Sequence, residues 1–140
     1  MFYFDTSVIA AYYCPEQLSD KAEAALTGCA SPVISQLTEL EMASALSRKI
    51  REKTLSTDDG NRILNTFQAH IGRRLYRRVA LEHCHYRKAL GWIAQFNTPL
   101  RALDGLHLAL AAAEDIPLVT ADHHLAEAAR HFGVQVRLLC

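Results

Sequence analysis

The sequence predicts an α/β domain of three layers, with a central parallel sheet of four to five strands and helices on both faces. Two observations predict the pairing. Short apolar runs ("MFYF", "SPVIS", "IPLVTA", "VQVRLL") recur along the chain. Segments with helical spacing separate them, and strands joined through helices pair in parallel by right-handed crossovers. A third observation sets the organisation. At 140 residues, half of them apolar and without a linker-like stretch, the chain can bury one continuous core, so residues 1–140 are expected to form a single domain.

Taken in order, "MFYFD" reads as a buried strand of β-favouring aromatics. "TSVIAAYY" turns into a short helix, with Thr6 or Ser7 available as its cap. "QLSDKAEAALTG" is a helix stopped at Gly28, and "SPVIS" a second strand. "QLTELEMASALSRKIREK" is a long helix that becomes basic towards its end, as the helix dipole favours. "STDDGNRILNTFQAHIG" is a helix with Ser or Thr caps, closed by Gly72, and "LYRRVAL" a third strand near an edge. "EHCHYRKALGWIAQF" is helical until "NTPLR" breaks it at Pro99. "ALDGLHLALAAAED" is apolar on nearly all sides, the mark of a buried helix. "IPLVTA" is a strand, "DHHLAEAARHFG" a helix stopped at Gly133, and "VQVRLL" the last strand.

Several classes are disfavoured. No apolar run approaches the roughly 20 residues of a membrane helix, and no basic leader precedes the first apolar residues. A cytoplasmic protein is therefore expected. Cys14, Cys29, Cys84 and Cys140 form no C-x-x-C pair, which argues against a zinc ribbon, and they read as buried free thiols. In "HCH", His83, Cys84 and His85 stand too close in sequence to share a helix face. The net charge of zero hides an asymmetry. Residues 48–101 hold twelve Lys or Arg against four acids, and the remainder holds three against eleven. A solvated surface explains this, but a basic stripe beside an acidic pocket also suits a polyanion that must reach bound cations.

Three aspartates carry the chemistry. Asp5 ends the first strand after only four residues, Asp122 follows the "LVTA" strand, and Asp104 opens the apolar helix. Each alone has a local explanation, because Asp is favoured at helix N-caps and in first turns. Together, Asp5 and Asp122 leave the sheet at its carboxyl edge, where open α/β folds keep their sites. Asp104 shares a face with Leu108 and Ala111, and a carboxylate against an apolar face is costly unless paired, protonated or bound to a cation. His107, three residues on, is the structural alternative as its partner, although a satisfied core histidine is the simpler role. A fourth acid must come from "TELEMASAL", where Glu39 and Glu41 point to opposite sides of the helix. Ser44 and Ala45 beside Glu41 leave room for a ligand, while Glu39 sits on the side of Leu46 and Ile50, so periodicity gives Glu41 only a slight edge.

Converging carboxylates cannot all stay ionised without a counter-ion. Oxygen-only donors select Mg²⁺ or Mn²⁺, and such an ion can activate water and stabilise charge on a phosphodiester. A metal-dependent nuclease is the expected activity.

The stretches "FDTSVIAAYY", "ISQLTELEMASALSRK", "LRALDGLHLALA" and "LVTADHHLAEAAR", in that order and spacing, make the whole chain resemble the PIN-domain family and, within it, the VapC-type ribonuclease toxins of toxin–antitoxin pairs. The resemblance implies strand order 3-2-1-4-5, Mg²⁺- or Mn²⁺-dependent endoribonuclease activity, a small VapB-like antitoxin whose segment wraps the toxin and reaches its acids, and a homodimer. By position it implies that the four acids are Asp5, Glu41, Asp104 and Asp122. Asp5, Asp104 and Asp122 are then expected to hold the metal ion, directly or through water. Thr6, Ser7 and Thr120 match the polar positions that flank the site. Glu39 stands beside the expected glutamate position.

Two readings compete with the nuclease. One is a catalytically silent module of the same fold that grips RNA or a partner protein. The other is phosphoryl transfer through Asp5, but such phosphatases place a second Asp two residues later, where this chain has Ser7. Transfer, ribosomal and messenger RNA all present phosphates to the same acids, so the sequence does not select among them.

Overall fold

The structure, a computed structural model, describes residues 1–140. Five short strands alternate with seven helices: β1 (Phe2–Phe4), α1 (Thr6–Tyr13), α2 (Ser19–Thr27), β2 (Pro32–Ser35), α3 (Gln36–Arg51), α4 (Thr57–Gly72), β3 (Arg77–Val79), α5 (His83–Ile93), α6 (Ala102–Glu114), β4 (Leu118–Thr120), α7 (His123–His131) and β5 (Val136–Leu138). The strands form one sheet in the order β3-β2-β1-β4-β5, every pair parallel. Chain order reverses on either side of β1, so β1 and its neighbour β4 flank the crevice that parallel α/β sheets use for ligands.

Side-chain alternation divides the core between the two faces of the sheet. Phe4, Ile34 and Val119 face α1, α2 and α4, packing with Val8, Ile9, Ala22 and Phe67. Tyr3, Val33 and Leu118 face α6 and α7, packing with Leu108, Leu110, Leu125 and Ala128. A third, smaller cluster of Leu37, Ala89 and Leu106 joins α3, α5 and α6. Beside Asp104, Gly105 lets α6 lie close on α5: a Cβ there would stand 3.1 Å from Ile93 Cδ1 and 3.3 Å from Ala89 Cβ.

The predicted elements are present, and the departures concern their ends. Thr6 and Ser7 do not cap α1; Asp5 holds the N-cap position, and both hydroxyls turn to carboxylates instead. Gly72 is the last residue of α4 rather than its stop, and the left-handed turn falls on Arg74 (φ 60°). Gly133 does stop α7, at φ 75°, a conformation that a side chain disfavours. Only Cys14 and Cys29 are buried; Cys84 and Cys140 are exposed, because α5 turns Cys84 outward and Cys140 follows the edge strand β5. In "HCH", His85 is buried and its Nδ1 accepts a hydrogen bond from the Glu82 amide at 2.9 Å, as part of a capping box. No helix is long and apolar enough to cross a membrane.

Candidate active site

Asp5 answers the question its place in an apolar run raises. It is 3% exposed, and its carboxylate makes no capping hydrogen bond to α1. It is held instead by two hydroxyls: Ser7 Oγ donates to Oδ1 at 2.6 Å and Thr120 Oγ1 to Oδ2 at 2.7 Å. Each hydroxyl also accepts a backbone N–H from the chain leaving β4, Ala121 to Ser7 at 3.0 Å and Asp122 to Thr120 at 3.0 Å. The ends of β1 and β4 are thereby tied around one carboxylate. Burial pushes the Asp5 carboxyl above its ordinary range, against the opposing pull of His107 and of the two hydroxyls.

Asp104 stands in the first turn of α6, its side chain 21% exposed. Burial, followed by the charges of Asp122 and Asp5, raises its carboxyl to about 6, with His107 and Arg101 opposing. That mutual repulsion is the electrostatic signature of acids brought together from separate segments. Asp122 has two duties. Its Oδ1 caps α7, accepting from His124 N at 2.8 Å and Leu125 N at 3.4 Å, as its sequence position predicts. Its Oδ2 lies 4.0 Å from Arg101 Nη2, and Arg101 Nε lies 3.8 Å from Asp104 Oδ2.

The two glutamates of α3 separate cleanly. Glu39 pairs on the outer side with Arg78 of β3 at 2.8 Å. Glu41 turns inward and accepts from Thr6 Oγ1 at 2.6 Å and from His107 Nε2, both on Oε1. Burial works against the Glu41 carboxylate, but the hydrogen bond and charge of His107 with the bond from Thr6 outweigh it and hold this carboxyl below its ordinary range. His107 therefore partners Glu41 and not Asp104; a spacing of three on one helix points to the wrong acid, because the ring reaches across to α3. Tyr3 and Ser35, which the sequence places only in strands, continue the network. Tyr3 Oη lies 2.7 Å from His107 Nδ1 and 2.9 Å from Ser35 Oγ, all three side chains buried.

The basic residues are not gathered at this edge. Arg73 and Arg74 precede β3 and so lie towards the amino edge of the sheet, while Arg48, Lys49, Arg62, Arg77 and Arg78 pair with Glu52, Glu16, Asp59, Glu114 and Glu39. Of the twelve cations in 48–101, Arg101 is the one within 4.0 Å of a site carboxylate. Of the expected stripe, Arg101 alone adjoins the acids at that distance, and five of the other residues are paired with acids outside the site.

The donor set is oxygen throughout, which suits a hard divalent cation. As placed, no three His, Cys, Asp or Glu side chains form a group that could by themselves hold an ion. An open set still fits Mg²⁺, which takes one or two carboxylates and keeps several waters. The raised Asp104 carboxyl is the observation in favour: a cation there would relieve the repulsion from Asp122 and Asp5.

An all-parallel sheet of this order, with Asp5 and Asp122 following its central strands and acting with Asp104 through their charges, defines a class of α/β domain with acids at the carboxyl edge. Residues 2–131 match the family described as PIN domain, and the chain belongs to that family. Comparison with curated proteins gave no match. Among solved structures, the chain is similar to VapBC2 from Rickettsia felis bound to a promoter DNA fragment (16% identity, 100% of both chains, TM-score 0.74). It is also similar to VapC20 from Mycobacterium tuberculosis, described as a sarcin-ricin loop cleaving toxin (15% identity, 91% of this chain and 95% of that one, TM-score 0.73). A third is FitAcB from Neisseria gonorrhoeae (18% identity, 97% and 96%, TM-score 0.69).

Proposed function

We propose that this PIN domain is a Mg²⁺- or Mn²⁺-dependent endoribonuclease and the VapC-type toxin of a toxin–antitoxin module. The observation that carries the reading is Asp5: a carboxylate this deeply buried is costly, and here it is steadied by Ser7 and Thr120 at the sheet edge where Asp104 and Asp122 add charge. Asp5, Asp104 and Asp122 would hold the cation, directly or through water. Bound there, the ion would lower the pKa of a water and offset charge on the phosphodiester. Glu41 orients or deprotonates the attacking water, and Thr6, Ser7 and Thr120 keep the carboxylates in place. Water adds to phosphorus as the bond to the 3′ oxygen breaks, leaving a 5′-phosphate and a 3′-hydroxyl. Arg101, beside the acids, is suited to meet a phosphate of the RNA.

The solved neighbours support the partner. VapBC and toxin–antitoxin complexes recur among them, so a VapB-like antitoxin is the proposed inhibitor, with a homodimeric toxin in the cytoplasm. The test is cleavage of total RNA with Mn²⁺ by the wild type and by Asp5→Asn. Cleavage that stops with chelator and with the variant, while circular dichroism is unchanged, supports the reading. A silent binding module predicts no cleavage and no Mn²⁺ uptake in equilibrium dialysis.

A further inference from the structure

One side chain buried beside the acids has no part in the proposed reaction. His107 is 1% exposed, and both ring nitrogens are engaged: Nδ1 with Tyr3 Oη at 2.7 Å, and Nε2 with Glu41 Oε1. Tyr3 is anchored in turn, its ring 5.6 Å from the imidazole and its hydroxyl 2.9 Å from Ser35 Oγ. Five segments, β1, α1, β2, α3 and α6, thus supply one continuous chain of polar groups running Ser35, Tyr3, His107, Glu41, Thr6.

The direction of the hydrogen bonds follows from the groups at its two ends. Glu41 is an acceptor when ionised, and Thr6 already donates to the same Oε1 at 2.6 Å. The hydrogen between the ring and Glu41 therefore belongs to Nε2. Tyr3 can satisfy Nδ1 in either ring state: it donates to a neutral ring, or accepts from a charged one while donating to Ser35. In both cases Nε2–H faces Glu41, whatever the charge of the imidazole. Both donors fall on Oε1, and Oε2 has no protein partner. A glutamate on an exposed helix face samples several rotamers; this one is fixed through one oxygen and offers the other.

We propose that His107 is a positioning residue for the reaction, with Tyr3 fixing its ring so that Nε2–H clamps Oε1 of Glu41 and leaves Oε2 to act on the attacking water. The arrangement follows the general scheme in which a base is held by a second group that is itself oriented by a third. It rests on the reading of Glu41 as the residue that handles water. A solely structural histidine would support folding and Glu41 burial without setting turnover.

The decisive measurement is a double-mutant cycle on RNA cleavage with saturating Mn²⁺, using His107→Leu, His107→Gln, Glu41→Gln and the Glu41→Gln/His107→Leu pair. His107→Leu is expected to lower kcat roughly 10- to 100-fold with KM within about twofold. His107→Gln, which keeps an amide N–H near the position of Nε2, recovers most of the rate. In the Glu41→Gln background, His107→Leu adds less than about twofold. Equal losses in both backgrounds, or no rescue by glutamine, overturn the role of His107 alone. A wild type that cleaves no RNA overturns the nuclease reading and this role with it. If His107→Leu does not fold, Tyr3→Phe takes its place in the cycle, with a smaller loss that also vanishes beside Glu41→Gln. Independently of activity, ¹⁵N–¹H NMR of the metal-free protein is expected to show hydrogen on Nε2 of His107, with a shift on Glu41→Gln. An Nε2 without hydrogen overturns the clamp.

Discussion

Thr120 donates its hydroxyl hydrogen to Oδ2 of Asp5 at 2.7 Å, across 115 positions of sequence. The bond joins the carboxyl ends of β1 and β4, and the same hydroxyl accepts the Asp122 amide. One threonine thus organises two of the four acids. Its replacement by valine keeps the shape and removes both interactions. Thr120→Val is expected to lose about 1–3 kcal/mol of stability, the cost of leaving a buried carboxylate short of a donor. Urea unfolding checks this, and RNA cleavage should fall with it.

The glutamates of α3 give a second, sharper contrast. Glu39 is tied to Arg78 on the outside, whereas Glu41 belongs to the inner network. Glu41→Gln should reduce RNA cleavage by about 100-fold or more, the scale of a lost general base. Glu39→Gln should stay within about threefold of wild type and cost no more than about 1 kcal/mol, as a partly exposed pair. Comparable activity in the two variants would remove Glu41 from the mechanism.

Asp104 sets a pH dependence. Its carboxyl titrates at 3.8 ordinarily and at about 6 in the fold, raised by burial and then by Asp122 and Asp5. The fold therefore favours the protonated form. The stability this contributes is fully present below about pH 3.8 and lost as pH rises through about 6, on the order of 3 kcal/mol in all. Asp104→Asn should be unaffected by that loss, so its advantage over wild type grows between pH 4 and 7. Denaturant titrations with chelator read the difference, and Mn²⁺ should shrink it by stabilising ionised Asp104.

Arg101 brings a positive charge to within 4.0 Å of both Asp104 and Asp122. A unit charge at that distance in a well-solvated setting is worth about 1 kcal/mol. Arg101→Ala should accordingly bind Mn²⁺ several-fold more tightly by isothermal titration, while its affinity for RNA falls. A loss of affinity for both would show that Arg101 holds the acids in place rather than competing for them.

Hydrophobic periodicity made most of the architecture legible. "FYF", "PVIS" and "LVT" form largely buried strands and "LDGLHLALAAAE" lies in a largely buried helix, because a strand or helix must hide its apolar side and so writes its period into the sequence. Asp5 was legible for the opposite reason, as a charge that breaks such a run. The ends of elements were read less well. Thr6 and Ser7 have the side chains of helix caps, yet their hydroxyls go to the carboxyl groups of Glu41 and Asp5, which the fold brings within 2.6 Å of them.

By itself, then, the sequence determined the alternation of strand and helix, the acids that had to be accounted for, and the family to which the chain belongs. Tertiary structure alone decided who meets whom: that His107 serves Glu41 rather than Asp104, that Glu39 pairs with Arg78 instead, and that Arg101 is the basic residue beside Asp104 and Asp122. The physical reason is range. Burial acts residue by residue and leaves a local pattern, whereas a hydrogen bond between β1 and α6, separated by 104 positions in Tyr3 and His107, exists only once the sheet has brought them together.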